Sequence, residues 1–433
     1  MHITRRFALA GLTMLLIAVF TLPAFSAAVG VGSCTTLVNF ATIQQAIDAS
    51  PDGTIIKICP GTYREQPEIT KALNLQGIVY AGTDRVIIAP PVAGVVSNTV
   101  DVDSSVAIAA QMWVHDTTGV SISNITVDGT GNSIADCTDL QGILFENASG
   151  TVNHVAVRNE TLGAGLGGCQ SGQGIYVMTA AGNTSSVTVQ NSSVHNYQKN
   201  GIVGHDAGTT LTATGNFVQG SGVVASGAAA QNGIELAFGA AGKISSNTVT
   251  DNIYGDTTIA DSANILLYDA AENAGILVTN NTLGNSQLPI ALVTDTAGLG
   301  DGVTVTTNKI YGTSTADAID VCTNGNTIRT NMIFNSAQSG IHFDASCGST
   351  GNNNIATANT VVESACAGIL ADVSTSGNTD GPNNYFTVPF TNTFSTAKCT
   401  IPAGPAAAVR KTVNTPLSTG TSVHPKAAHK VQP

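Results

Sequence analysis

Four residues in the last third of the chain have the types and spacing for chemistry: Asp320, His342, Asp344 and Asp372. Each follows an isoleucine by one or three positions, in Ile319-Asp-Val, Ile341-His-Phe-Asp and Ile369-Leu-Ala-Asp. If those isoleucines share one register in strands about 4.8 Å apart, Asp320 lies beside His342, and Asp344 beside Asp372. Three chemistries then fit. Two carboxylates about 5 Å apart can act as acid and nucleophile of a retaining glycosidase. Asp320 can orient His342 as a general base. Several carboxylates on one face can hold calcium, the one cofactor this pattern allows. The plain alternative is a set of solvated or cross-strand charges with an incidental His–Asp pair. Against it stands the cost of like charges side by side. Earlier in the same column, Tyr176, His205, Asp206, Glu235 and Tyr268 could form a sugar-binding platform, or be ordinary surface residues. No metal ligand set is assigned.

What must position these residues is a repeat. A small residue followed by Ile and, two residues later, an apolar residue recurs at Ile143, Ile175, Ile202, Ile234, Ile265, Ile290, Ile319, Ile341 and Ile369, 22 to 32 residues apart. Between these copies runs a second phrase, Asn with an aliphatic two or three positions on, at Asn216, Asn247, Asn281, Asn308, Asn331 and Asn359 among others. Within each Ile phrase, positions zero and two point inward and the intervening residues point out. Such short strands, parted by Gly- and Asn-rich turns with no helical period, cannot build βαβ units. Stacking each repeat on the next buries a continuous core instead. The asparagines suit turns because they tolerate left-handed backbone and can bond along a stack. The expected fold is all-β: a single right-handed parallel β-helix, or solenoid, over residues 29–399.

Both ends have their own signals. Thr42-Ile-Gln-Gln45 reads as a capping box opening a short N-terminal capping helix, with Ile43, Ala46 and Ile47 on one face over the first rung. Tyr385, Phe386, Phe390 and Phe394 crowd into ten residues and read as a C-terminal plug, although aromatics are 5% of the chain. Residues 1–28 have basic, apolar and small-residue stretches in the order of a secretory signal peptide, cleaved near residues 26–28. Export to the periplasm, the cell surface or the medium follows. The Pro-, Ala- and Thr-rich stretch 400–433 is expected to be disordered.

Charge and cysteine narrow the function. The net charge is −12. Leaving out Arg5 and Arg6 of the signal makes it −14, and setting aside Arg410, Lys411, Lys426 and Lys430 of the tail makes it −18 for residues 29–399. So acidic a body does not bind nucleic acid, which needs Lys and Arg to displace counterions. No second apolar run is long enough for a membrane span, and a monomer is expected. Eight cysteines without a CxxC or Cys/His cluster suit disulfides in an oxidising compartment. Sequence order suggests local pairs, Cys34–Cys59, Cys137–Cys169, Cys322–Cys347 and Cys366–Cys399, among the 105 connectivities that eight cysteines allow.

Three segments together carry a resemblance: Phe40-Ala-Thr-Ile-Gln-Gln-Ala-Ile-Asp-Ala-Ser-Pro51, Ile56-Lys-Ile-Cys-Pro-Gly-Thr-Tyr-Arg-Glu65 and Ile69-Thr-Lys-Ala-Leu-Asn-Leu-Gln-Gly77. They resemble the opening of bacterial right-handed β-helix proteins of the pectin-lyase-like superfamily. The specific likeness covers about residues 40–90, and residues 120–395 match as generic rungs. It implies the fold but not the chemistry, because the superfamily holds lyases, hydrolases, esterases and noncatalytic surface proteins. Gly61-Thr-Tyr-Arg-Glu65 is similar to pectin methylesterases, whose later Asp-Phe-Ile-Phe-Gly and Leu-Gly-Arg-Pro-Trp signatures are missing. Asn378-Thr-Asp-Gly381 matches one polygalacturonase motif without its followers. Arg158 and Arg329 stand in no recognisable lyase motif. The expectation is an exported protein that binds, and could cleave, an extended polysaccharide on its outer sheet face. If an enzyme, it is a polysaccharide lyase or glycoside hydrolase. The alternative is a noncatalytic cell-surface or envelope scaffold.

Overall fold

The structure is a computed structural model that describes residues 28–80, 85–255, 260–313 and 315–393. The signal segment up to residue 27, the tail, Phe394 and Cys399 lie outside the described residues. The chain winds into three long sheets of 14, 12 and 13 strands, and each coil adds one strand to each sheet in turn. One such coil is Thr209–Thr214 in the first sheet, Phe217–Val224 in the second and Asn232–Ala237 in the third. Pairing along the stack is parallel except where Thr99–Val100 folds antiparallel onto Ala107–His115.

The isoleucine phrase is the third sheet. Ile143 pairs with Ile175, and the pairing continues through Ile202, Ile234, Ile265, Ile290, Ile319 and Ile341 to Ile369 without a slip. All nine are fully buried, in one apolar cluster that runs from Val31 to Ala371. The register holds because a one-residue slip would turn every inward side chain out of that core.

The asparagine phrase is the turn from the first sheet to the second, and its side chains form a ladder. Asn216, Asn247, Asn281, Asn308, Asn331 and Asn359 are each buried, and each accepts on Oδ1 from its neighbour one coil earlier wherever the phrase continues. The left-handed backbone expected of these asparagines falls instead on the residue before each one. Gly215, Ser246, Asn280, Thr307, Thr330 and Ala358 have φ between 53° and 66°. Left-handed backbone is a genuine outlier for the β-branched Thr307 and Thr330. The ladder imposes it, because only that turn delivers the next asparagine to the stack.

The amino-terminal cap is the helix Ile43–Ala49, with Ile43, Ala46 and Ile47 buried. Thr42 Oγ1 accepts from the Gln45 amide at 3.1 Å. The Ile43 and Gln44 amides donate to the Glu65 carboxylate at 2.9 and 3.0 Å, so a residue from the second coil completes the cap. At the other end the aromatic plug is only partial. Tyr385 packs on the core and Phe390 packs beside Cys366, Ala367 and Leu370, but Phe386 is 56% exposed. Phe386 follows Tyr385 in a strand, and alternation turns it to the other face. Cys34–Cys59, Cys137–Cys169 and Cys322–Cys347 are disulfides joining neighbouring coils. Cys366 is disulfide-bonded as well; its suggested partner, Cys399, is outside the described residues.

Candidate functional site

Asp320, His342, Asp344 and Asp372 stand on the outer face of the third sheet, as the isoleucine register requires. Asp320 pairs with His342 across neighbouring strands. Donor atoms of His342, Asp344 and Asp372 all lie within 4.8 Å of one another. Of the alternative, solvated or cross-strand charges, the cross-strand pairing is present and the solvation is not. His342 is 6% exposed, and Asp320 and Asp344 are fully buried, while the Asp372 side chain retains 27% exposure and opens the cluster to solvent.

A fifth residue completes the cluster. Asp317, two positions before Ile319, lies 3.1 Å from His342 Nδ1 and accepts from the Ser339 amide at 2.7 Å. Asp320 is 3.9 Å from the same ring nitrogen. His342 Nε2 lies 3.2 Å from Asp372, whose other oxygen accepts from the Ala345 amide at 3.2 Å. Asp344 accepts from the Ser346 amide at 2.7 Å. Burial alone would lower the His342 pKa, but Asp317 foremost, then Asp372 and Asp320, outweigh it and push it up to about 10. Burial raises the Asp372 carboxyl, and the His342 cation more than offsets this, leaving it below its usual value.

This geometry changes one expectation. An imidazolium with both ring nitrogens turned to carboxylates has no lone pair to receive a proton, so His342 is not poised as a general base. It is a buried cation with two donor hydrogens. The Asp344–Asp372 pair keeps the proximity that a retaining acid–nucleophile pair needs. Asp344 and Asp372 are close enough to share a calcium ion, whereas Asp317 and Asp320 stand at the Nδ1 side of the His342 ring, away from Asp372 at Nε2. The third group of close ligand atoms, Cys322, Asp344 and Cys347, includes a disulfide and so offers no thiolate.

The earlier residues of the column meet a different fate. Tyr176 and Tyr268 are almost fully buried, in two apolar layers that cover the outer face of the third sheet. One contains Leu144, Tyr176, Met178 and Val203 beneath Val102 and Trp113; the other contains Leu266, Tyr268, Ala291 and Val293 beside Phe238. His205, itself 2.7 Å from Asp206, tilts against Tyr176 and Phe238, and Phe238 meets the edge of Tyr268. The Tyr268 hydroxyl donates to Asp295. These rings are filled on their faces and offer no open stacking platform. Burial raises the Glu235 carboxyl and lowers the Lys199 ammonium, and each charge opposes the shift of the other. Lys199, Phe238 and Asp317 were not singled out from sequence. The signal for Asp317 was the polar run Gln141, Gln173, Asn200 and Asn232 at the same offset before earlier isoleucines.

No family model and no curated protein matches the sequence. Solved structures do. The chain is similar to XylC in complex with xylose at 10% identity, covering 84% of this chain and 86% of that one, with a TM-score of 0.51. It is similar to the catalytic domain of a GH87 α-1,3-glucanase in complex with nigerose at 12% identity, covering 87% and 70%, with a TM-score of 0.50. PfbA, a surface adhesin of Streptococcus pneumoniae, aligns at 14% identity over 82% and 90%, with a TM-score of 0.43. At such identities the likeness is one of fold. Three long parallel sheets, an isoleucine register that holds from Ile143 to Ile369 and the likeness to the first two of these structures identify the fold as a right-handed parallel β-helix.

Proposed function

We propose that this is an exported protein that binds an extended polysaccharide at the His342 cluster, where the outer face of the third sheet opens to solvent at Asp372 beyond its apolar covering layers. One observation carries the reading. In a chain with only 10% charged residues, four carboxylates gather around a single buried imidazolium and reach solvent through Asp372. Carboxylates accept from sugar hydroxyls, and an imidazolium donates to ring and glycosidic oxygens. The sugar-bound state of two solved proteins with this fold supports a carbohydrate ligand. Cleavage, if it accompanies binding, falls to Asp344 and Asp372 as the acid–nucleophile pair. The noncatalytic surface scaffold is the second reading, favoured by the burial of Asp320 and Asp344.

The test replaces Asp320, His342, Asp344 and Asp372 together by Asn and measures binding and product release on plant, bacterial and fungal polysaccharides. A still-folded variant is expected to lose product release and to bind at least one of these polysaccharides about tenfold more weakly or worse. Unchanged binding by that variant rules this cluster out as the site. A chelator that lowers the melting temperature would add calcium to the cluster.

A further inference from the structure

The second sheet presents its own outer face, on a different side of the coil from the His342 cluster. Its inward column, Val218, Val249, Leu283, Ile310, Ile333 and Val361, is fully buried. Alternation therefore turns the paired residues Gln219, Thr250, Gly284, Tyr311, Phe334 and Val362 outward as a column without charge. Tyr311 is 47% exposed, and its ring stacks on Phe334 with centroids 5.2 Å apart and planes 5° from parallel. With Phe334 against one face of the tyrosine, the other face looks over the coil of Gly284, where there is no side chain.

Nothing in the fold requires a glycine at that position. Its φ is outside the left-handed region. A Cβ there would meet only Thr250 Oγ1 at 3.7 Å and the Tyr311 carbonyl at 3.8 Å, ordinary contacts. A glycine inside a strand weakens it and marks places where a ligand approaches the backbone. The result is a notch with the Tyr311 ring as one wall and Thr250 as the other. At its rim Asp251 accepts from Gln219 at 2.8 Å and from Asn285 at 2.5 Å, and a shallow cleft lined by His195, Gln219, Gly220 and Asp251 adjoins it.

We infer that this notch is a separate carbohydrate subsite that seats one neutral pyranose ring, stacked on Tyr311 over Gly284. The apolar C–H face of a pyranose packs against the electron-rich face of an aromatic ring. Its hydroxyls need a rim of amide, hydroxyl and carboxylate groups, which Thr250, Gln219, Asn285 and Asp251 supply. The surroundings carry one charge of each sign, Asp251 at the rim and the exposed Lys309 two residues before Tyr311 on the same face, so they favour neither anion nor cation and suit an uncharged sugar. The site is on a different sheet from the His342 cluster and does not depend on it.

The experiment is affinity electrophoresis of the full mature protein in gels containing xyloglucan, glucomannan, laminarin or dextran, with polygalacturonate as the acidic control. Retardation is expected in at least one neutral gel and not in polygalacturonate. Gly284→Val fills the notch with a residue that strands favour, so its melting temperature should hold or rise while affinity falls about tenfold or more. Tyr311→Ala should weaken binding equally. The Asp320, His342, Asp344 and Asp372 variant should keep this retardation, which separates failure of the notch from failure of the third-sheet site. Retardation unaltered by Gly284→Val and Tyr311→Ala overturns the proposal. So does the absence of retardation in every neutral gel, or a self-association in sedimentation that Tyr311→Ala abolishes, which would make the strip a contact between copies.

Discussion

Asn308→Ala tests whether the ladder fixes the stack. Asn308 Oδ1 accepts from the Asn281 amide and from Asn281 Nδ2, each at 2.9 Å. Its Nδ2 donates to the Val278 carbonyl and to Asn331 Oδ1, each at 3.0 Å. The substitution removes all four bonds inside a region where Asn281, Asn308 and Asn331 are at most 1% exposed. At about 1 kcal/mol net per bond, the loss is about 4 kcal/mol. The stranded Asn281 N–H, buried away from bulk solvent, adds part of a further ~1–3 kcal/mol. A destabilisation of about 4–6 kcal/mol is therefore expected. Urea denaturation followed by circular dichroism measures it, and native-state hydrogen exchange shows whether the coils around residues 278–333 open first. A double variant with Asn331→Ala should cost less than the sum of the singles, because they share a bond. A loss below about 1 kcal/mol, or full additivity, would refute the view of the ladder as a connected buried network.

Three other outcomes follow. His342 has its folded pKa raised to about 10 from 6.5, so the stability it contributes is present below about pH 6.5 and declines as pH rises towards 10. Thermal melts from pH 6 to 10 should show that decline, and His342→Gln should flatten it. Glu160 is fully buried with neither carboxyl oxygen hydrogen-bonded, and burial raises its pKa well above the usual value. The native state then holds the proton more tightly than the unfolded chain, and stability falls as pH rises above about 4.5. Glu160→Met should stabilise by about 1–3 kcal/mol, more at pH 8 than at pH 5, measured by urea midpoints. Replacing Cys322 and Cys347 together by Ala should cost about 3 kcal/mol in the same assay, from the 25-residue separation that the bridge closes.

The coil register was legible because one isoleucine per turn lines up in space, and its period survives insertions of up to ten residues in the loops. Asp320 beside His342 follows from that register alone. The local disulfide pairs were legible for the same reason, since cysteines about one turn apart fall on neighbouring coils. What alternation could not reveal is a second apolar layer. Tyr176 and Tyr268 point away from the core, as expected, and are buried from the other side by Val102, Trp113 and Phe238. Val102 and Phe238 belong to turns that obey no period, and Trp113, although paired with Leu144, stands on a strand that precedes the first isoleucine phrase. Asp317 was missed because a residue two places before the isoleucine was not counted in the outward column. The Gly284 notch was hidden for a simpler reason: a missing side chain becomes meaningful only beside the ring that it leaves bare.

Each coil is held mainly by its immediate neighbours, and this sets how the molecule yields to force. The helix Ile43–Ala49 closes the first coils, so traction applied to the carboxyl end should peel turns away singly from that side. Each released turn of 22 to 32 residues pays out about 90 Å of chain at roughly 3.5 Å per residue. The bridge between Cys322 and Cys347 locks 25 residues of that length, so one step in an oxidised extension trace should come up short by about 80 Å and regain it under reductant.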